Sequence, residues 1–299
     1  MTAVSATPEL LAVGETMAMV APLTGGRLVD AAAFRVDAGG AESNVAVHVA
    51  ALGHRSAWFS RLGADALGDR ILGQLAAHGV DVSRVERDAA HPTGVYVKDP
   101  GHGVRYYRTG SAASHLTASD ADAVALDGVR ILHVSGITAA ISASASAFLD
   151  CLIDRALAVG VTVSFDVNHR PALWDTATAA ARTRALAERA DIVFVGRDEA
   201  EVLWGTATAA AIRALLPAVA ELVVKDGDVG ATLFDGSGEL FVPALAVEVL
   251  EAVGAGDAFA GAYLAAKLDG AESVDRLRAG HERAALALQT TSDTIEETT

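Results

Sequence analysis

Short apolar runs and longer segments of helical period take turns along this chain. "LLAVGETMAMVAP" opens with a strand that ends at Gly14. "ESNVAVHVAALG" has the apolar spacing of a helix and stops at Gly53. "SAWFSRLG" reads as one strand and "DALGDRILGQLAAHG" as a helix closed by Gly79. "TGVYVKDPGHGVRYYRTG" alternates around a glycine-rich turn and predicts a β-hairpin. Beyond it the rhythm is regular. The strands are "RILHVSG", "VTVSFDVN", "DIVFVG" and "AELVVKDG". Between them lie the helices "SASAFLDCLIDRALAVG", "TATAAARTRALAERA", "RDEAEVLWG" and "AAAIRALLPAV", and "ATLFDGSGELFVPAL" follows as a second hairpin.

Alternation of strand and helix implies βαβ units and a mostly parallel sheet with helices on both faces, an α/β fold. Ligands of such sheets lie beyond the carboxyl ends of the strands. The residues expected there are Gly14-Glu15, Ser135-Gly136, Asp166-Val167-Asn168, Gly196 and Lys225-Asp226-Gly227. The antiparallel pieces before Gly110 do not fit that sheet. They are expected to form a small β-sheet lid from about residues 15–38 and 91–110.

Composition narrows the function classes. Of 299 residues, 52% are hydrophobic and 20% charged, enough apolar matter for a large core. The net charge of −15 argues against a nucleic-acid surface, which needs clustered Lys and Arg. Cys151 is the single cysteine, so no disulfide can form within the chain. "MTAVSATPELLAVGE" lacks the basic and long apolar regions of a signal peptide, and no run is long enough to span a membrane. A cytoplasmic protein is expected. The nine histidines include no His-x-x-x-His pair, so a zinc site has no support. His48 and His133 read as packing residues.

The stretch "VLEAVGAGDAFAGAYLAAKL" carries the chemistry. It is not a dinucleotide fingerprint, because Phe259 stands where a third glycine is required. Nor is it a Walker loop, because Ala262 and Tyr263 follow Gly261. Glycines let the backbone turn tightly and let a ligand approach. Unpaired amides at a helix N-terminus then form an anion hole, with Asp257 beside it as a base. That pairing suits phosphoryl transfer. An Asp that merely caps a buried helix is the equal alternative on this stretch alone.

The wider sequence resembles the ribokinase-like (PfkB) carbohydrate kinase family. "GAGDAFAGAYLA" is similar to the family's C-terminal signature, and "GGAESNVAVHVAALGHRSAWFSRLG" to its N-terminal one. "VVKDGDVGA" is similar to its Lys-x-Gly-x-x-Gly-Ala turn. The resemblance runs from about Leu11 to Gln289. It implies a single kinase domain over residues 1–299 that transfers phosphate from ATP, with Mg2+, to a sugar hydroxyl. Asp257 would be the catalytic base, and the amides of Gly254, Ala255, Gly256 and Asp257 the anion hole. Lys225, Gly227, Gly230, Gly254 and Gly256 would hold the nucleotide.

"YYRTGSAASHL" and "FDVNHRPALW" bring further polar groups to strand ends. Two arginines suit a carboxylate better than a neutral sugar. Both segments resemble those of the 2-keto-3-deoxygluconate kinase branch. That resemblance implies contacts to a keto-deoxy acid from Gly39, Gly40, Asn44, Tyr96, Tyr106, Arg108, Asn168 and Arg170. The plainer readings are hairpin packing for Tyr96, surface salt bridges for Arg108 and Arg170, and a turn-forming acid for Asp166.

Two departures stand out. Glu251, Ala252 and Val253 replace the family's Asp-Thr-Thr, which puts a monovalent-cation or magnesium-water contact there in doubt. Gly196 replaces the Asn of an Asn-x-x-Glu motif whose Glu199 would organise Mg2+ through water. The K+ requirement is open. "RAGHERAALALQ" is expected to be a helix over the nucleotide end, with "DTIEETT" frayed or covering the adenine. An exposed lid edge suggests a homo-oligomer, a dimer or a multiple of it. The rivals are a kinase of a neutral sugar such as fructose or ribose, and a catalytically silent sugar-binding regulator.

Overall fold

The computed structural model describes residues 7–290, so "DTIEETT" lies outside the described residues. The chain runs β1 (Leu10–Val13), β2 (Met17–Pro22), β3 (Phe34–Gly39), α1 (Ala41–Ala51), β4 (Ser56–Phe59), β5 (Arg61–Gly63) and α2 (Ala66–Ala77). It continues through β6 (Glu86–Asp88), β7 (Val95–Asp99), β8 (Gly103–Tyr107), α3 (Ala118–Ala123), β9 (Ile131–Ser135), α4 (Gly136–Ala140) and α5 (Ala143–Ala158). Then come β10 (Thr162–Asp166), α6 (Thr176–Ala187), β11 (Ile192–Gly196), α7 (Arg197–Trp204), α8 (Ala209–Leu215) and β12 (Glu221–Asp226). The chain closes with β13 (Gly230–Asp235), β14 (Gly238–Pro243), α9 (Ala255–Leu268) and α10 (Ser273–Leu288).

An eight-stranded sheet, ordered β14-β13-β12-β11-β10-β9-β1-β4, forms the centre. The strands from β12 to β4 in that order are parallel, and at the other edge β13 alone runs against them, paired antiparallel with both β12 and β14. Both faces are covered, and the strands show it residue by residue. Leu11 and Val13 of β1 join the core under α5 and α6, while Leu10 and Ala12 join the core under α1 and α9. In β11, Val193 and Val195 face the first core and Ile192 and Phe194 the second. This period of two explains why such strands read as unbroken apolar runs.

The small sheet is ordered β3-β2-β7-β8. Its outer pairs are antiparallel, but the inner pair β2–β7 is parallel, contrary to the expectation of antiparallel pieces throughout. The expected strand "SAWFSRLG" is two strands. β4 lies beside β1, and after Ser60 the chain leaves that sheet so that β5 pairs with β6. Arg61 holds the new direction through Glu86, Asp120 and the His115 carbonyl. The apolar pattern runs through the bend, so periodicity alone does not reveal it.

Helix α9 lies between α1 and α10. Small residues let the helices approach closely. A Cβ on Gly261 would sit 2.6 Å from the His48 Cβ, and one on Gly280 of α10 would sit 2.8 Å from the Phe259 ring. His48 and His133 are both buried, bonded to Arg283 and Ser164. Desolvation holds the two imidazoles far below their usual range, at about 3 and about 4. Both stay neutral, as packing residues must.

Two glycines therefore respond to substitution with opposite signs. Gly261→Val overpacks the α1–α9 contact and costs about 3 kcal/mol, the upper end for such insertions. Gly73 of α2 faces open space, so Gly73→Ala adds up to about 1 kcal/mol through helix propensity. Thermal denaturation of the two variants checks this. Equal midpoints would contradict the packing described.

Candidate active site

A cleft of about 640 Å³ opens where the strand ends of the large sheet meet the inner face of the small one. The large sheet contributes Glu15 after β1, Ile137 after β9, Asp166 and Asn168 at β10, Gly196 at β11 and Lys225 at β12. These are the strand ends at which ligands of parallel sheets gather. The small sheet contributes Tyr96, Lys98, Tyr106 and Arg108. Gly39, Gly40, Asn44, Arg170, Glu199, Gly227, Gly254, Gly256 and Asp257 also line the cleft.

Two residues expected at the site do not line it. Gly230 has a φ of 150°, and a Cβ there would strike the Val242 carbonyl and the Phe241 ring. Its glycine is required by the β12–β13 turn. Ala255 is the first residue of α9, where the expectation concerns its backbone amide and not its side chain.

One end of the cleft is built by α9. Gly254 is its N-cap, left-handed at φ 86°, with no side-chain cap. The first helical bond is donated by the Ala258 amide to the Gly254 carbonyl, 2.9 Å. The amides of Ala255, Gly256 and Asp257 precede that bond and stay open. The positive end of a helix dipole is thus uncovered toward the cleft. Lys225 lies beside it, since a Cβ on Gly256 would be 3.4 Å from the Lys225 Nζ.

Asp257 is half-buried in this first turn. Asn44 Nδ2 donates to its Oδ2 at 2.8 Å. Desolvation pushes its carboxyl up to about 7, and the negative charge of Asp166 acts in the same direction. The Asn44 hydrogen bond and the charges of Arg170 and Lys225 oppose the rise. Lys225 donates to Asp166 Oδ2 at 3.0 Å. Burial alone would lower the Lys225 ammonium, but Asp166 and Glu199 outweigh it and hold the proton more firmly than usual.

Glu199 accepts the Gly196 and His169 amides, each at 2.8 Å. It caps α7 and lines the cleft at once. Burial, and then the charge of Asp166, raise its carboxyl. Asn168, beside Asp166, has a φ of 41°, the one positive value outside glycine among the described residues. A strained backbone at a ligand-facing strand end marks a site held by its surroundings.

The other end of the cleft is aromatic and basic. Tyr96 and Tyr106 pack ring to ring at 5.8 Å, and the Arg108 guanidinium sits 5.7 Å from the Tyr106 ring centre. The two plainer readings of Tyr96 and Arg108 need revision. Tyr96 packs in the hairpin and lines the cleft, and a Cβ on Gly39 would collide with its hydroxyl. Arg108 forms an ion pair that is buried, not superficial. Its Nε donates to Glu15 Oε2 at 2.7 Å and its Nη2 to the same oxygen. Arg170 is exposed at the cleft, donates to the His169 carbonyl at 3.1 Å, and has no acid within ion-pair distance among the described residues.

Sequence reasoning missed Lys98 and the role of Glu15. Lys98 reaches from β7 to Glu251 at 2.5 Å, so the departure at Glu251 is an ion pair between the small sheet and the segment before α9. Nothing in the hairpin sequence signals that reach. Glu15 had a signal, its place directly after the first strand. Among the described residues no three His, Cys, Asp or Glu side chains converge as a metal cage. The site fits a magnesium ion held mainly through nucleotide phosphates and water, with Glu199 and Asp198 nearby on the cleft wall. The open amides and Lys225 fit a polyphosphate. No described helix is long and apolar enough to cross a membrane.

Comparison with known proteins agrees with this geometry. The profile of pfkB family carbohydrate kinases matches residues 7–299. A 2-dehydro-3-deoxygluconokinase of Bacillus subtilis is 38% identical over 289 residues, covering 94% of this chain and 89% of the relative. One from Thermoproteus tenax is 33% identical, covering 88% of this chain and 83% of its own. The crystal structure of a PfkB protein from a Polaromonas species superposes with a TM-score of 0.88 at 35% identity, covering 96% of this chain and 97% of that one. The family profile spans nearly the whole described chain and the first of these relatives is 38% identical over most of its length, so the chain belongs to the pfkB family of carbohydrate kinases.

Proposed function

We propose that this kinase uses ATP and magnesium to phosphorylate the terminal hydroxyl of a 2-keto-3-deoxy sugar acid, the 2-dehydro-3-deoxygluconate class of substrate. One observation carries the reading. A single cleft joins an open anion hole containing Asp257, whose charge Arg170 acts on, to an aromatic wall that carries Arg108. The named relatives in Bacillus subtilis and Thermoproteus tenax support the same substrate class.

The roles follow from position. Tyr96 and Tyr106 flank the acid, Asn44 and Asn168 offer hydrogen bonds, and Arg108 and Arg170 take its carboxylate. Gly39 and Gly40 keep the wall thin enough for approach. Asp257 accepts the proton of the terminal hydroxyl as that oxygen bonds to the γ-phosphorus and the bond to the β-phosphate oxygen breaks. The amides at Gly254 to Asp257 and the Lys225 ammonium hold the developing negative charge. Glu199 would hold a magnesium ion through water, and that ion would supply neutralisation of phosphate charge. The small sheet acts as a lid that excludes water, and the protein works in the cytoplasm.

A neutral ketose is the second reading, and one observation favours it: Arg108 is already matched by Glu15. Turnover assays with 2-keto-3-deoxygluconate, fructose and ribose separate the two. We expect turnover with the acid alone, and Arg170→Ala to raise its KM at least about tenfold, as loss of a charged hydrogen bond does. Turnover of fructose with unchanged KM in that variant would establish the neutral-sugar reading instead.

The raised carboxyl of Asp257 sets the pH dependence. A base must be unprotonated, so kcat/KM should rise with pH and level off above about 7. Asn44→Ala removes a hydrogen bond that favours the charged carboxylate, so the limb should move to higher pH. A limb that stays in place or moves to lower pH would show that Asp257 is not the group that titrates.

A further inference from the structure

Glu15 plays no part in the chemistry above, yet it is among the most firmly held groups at the site. It is 2% exposed, lines the cleft, and sits at the middle of the three-residue link between β1 of the large sheet and β2 of the small one. Both of its oxygens are engaged from the same return link after β8. Oε2 accepts Arg108 Nε and Nη2, and Oε1 accepts the Ser111 hydroxyl. Its surroundings leave little freedom, for a Cβ on Gly94 would already be 3.0 Å from Oε1.

A guanidinium offers two edges to a carboxylate, the Nε/Nη2 side and the Nη1/Nη2 end. Glu15 occupies the first. The Tyr106 ring lies against the guanidinium, 5.7 Å from ring centre to Cζ. Nη1 has no hydrogen-bond acceptor among the described residues. The one edge left for a ligand is therefore the end, on a side chain that lines the cleft.

We propose that Glu15 is the positioning residue for substrate specificity: it clamps the side edge of Arg108 so that the end edge is preset for the carboxylate of the sugar acid. This rests on the sugar-acid reading of the site. Presetting matters because a free arginine must lose rotamer freedom when it binds, and a clamped one has already lost it. Glu15 touches no substrate atom and acts through Arg108. The same pair has a cost, since the negative charge of Glu15 offsets that of Arg108. Positioning and charge attenuation therefore make opposite predictions for its removal.

The test is steady-state kinetics of the full chain with 2-keto-3-deoxygluconate and ATP, on Glu15→Ala, Glu15→Gln and the wild type. We expect Glu15→Ala to raise the KM for the sugar acid about tenfold or more, with kcat and the KM for ATP within about twofold. Glu15→Gln keeps an acceptor for the Arg108 edge and should bring the KM back to within about threefold of wild type. In an Arg108→Ala background, Glu15→Ala should add no further rise, because its effect passes through that side chain. A lower KM in both single variants would overturn positioning in favour of charge attenuation. An unchanged KM in Glu15→Ala, or a parallel loss of kcat, ATP affinity and melting temperature, would reduce Glu15 to a structural clamp. A wild type that turns over fructose but not the acid would remove the sugar-acid reading first, and this inference with it.

Discussion

The burial of helix α9 is the constraint on which the site depends. Its body is sealed by α1, α10 and the sheet, with Ala258 through Ala265 all buried. Its remaining polar groups are tied down, as Tyr263 and Lys267 both bond Glu221 at the start of β12. The helix cannot shift or fray without breaking the close contacts at Gly261 and Gly280. Its first turn alone is open, and it points into the cleft with no side-chain cap. A rigid helix with an open end is a fixed source of positive potential, and a carboxylate placed there is desolvated as well as framed by amides. Both the anion hole and the raised carboxyl of Asp257 come from that one arrangement.

The rest of the site is organised by long-range polar pairs that hold the small sheet to the large one. Asn44 and Asp257 join α1 to α9. Glu15 and Arg108 join two of the links between the sheets, and Lys98 and Glu251 join β7 to the segment before α9. The Lys98 pair connects the small sheet to the segment before the anion hole, the Asn44 pair holds Asp257 itself, and the Glu15 pair holds the sugar end together. The position of the small sheet is thus coupled to the geometry around Asp257 by side chains, apart from any motion of the backbone.

Much of this was legible in the sequence, for local reasons. Strand-by-strand alternation and helix stops such as Gly53 and Gly79 are properties of neighbouring residues, and they yielded the parallel sheet and the strand ends that line the cleft. The glycine-acid stretch pointed to an open helix end beside a carboxylate, which Gly254 at the N-cap and Asp257 in the first turn provide, though the stretch alone suited a plain helix cap equally well. What was not legible depends on distant partners. "SAWFSRLG" splits at Ser60 because β5 finds β6, a choice invisible in its own pattern. Arg108 read as a carboxylate contact or a surface salt bridge, and its partner Glu15 lies 93 residues earlier. Lys98 looked like an ordinary hairpin residue, but it reaches 153 residues along the chain to Glu251. Gly230 fitted a nucleotide motif, and its place in a strand turn shows that the motif also serves the fold.

The most direct test of the central claim is to separate binding from chemistry at Asp257. Asp257→Asn keeps the shape of the side chain and removes its capacity to take a proton. Calorimetric binding of 2-keto-3-deoxygluconate, paired with single-turnover phosphoryl transfer, should show affinity kept within a few fold. The transfer rate should fall by about 10²–10⁴, the usual contribution of a general base. Transfer at an undiminished rate, or loss of binding in step with loss of transfer, would contradict a base held ready in the open turn of α9.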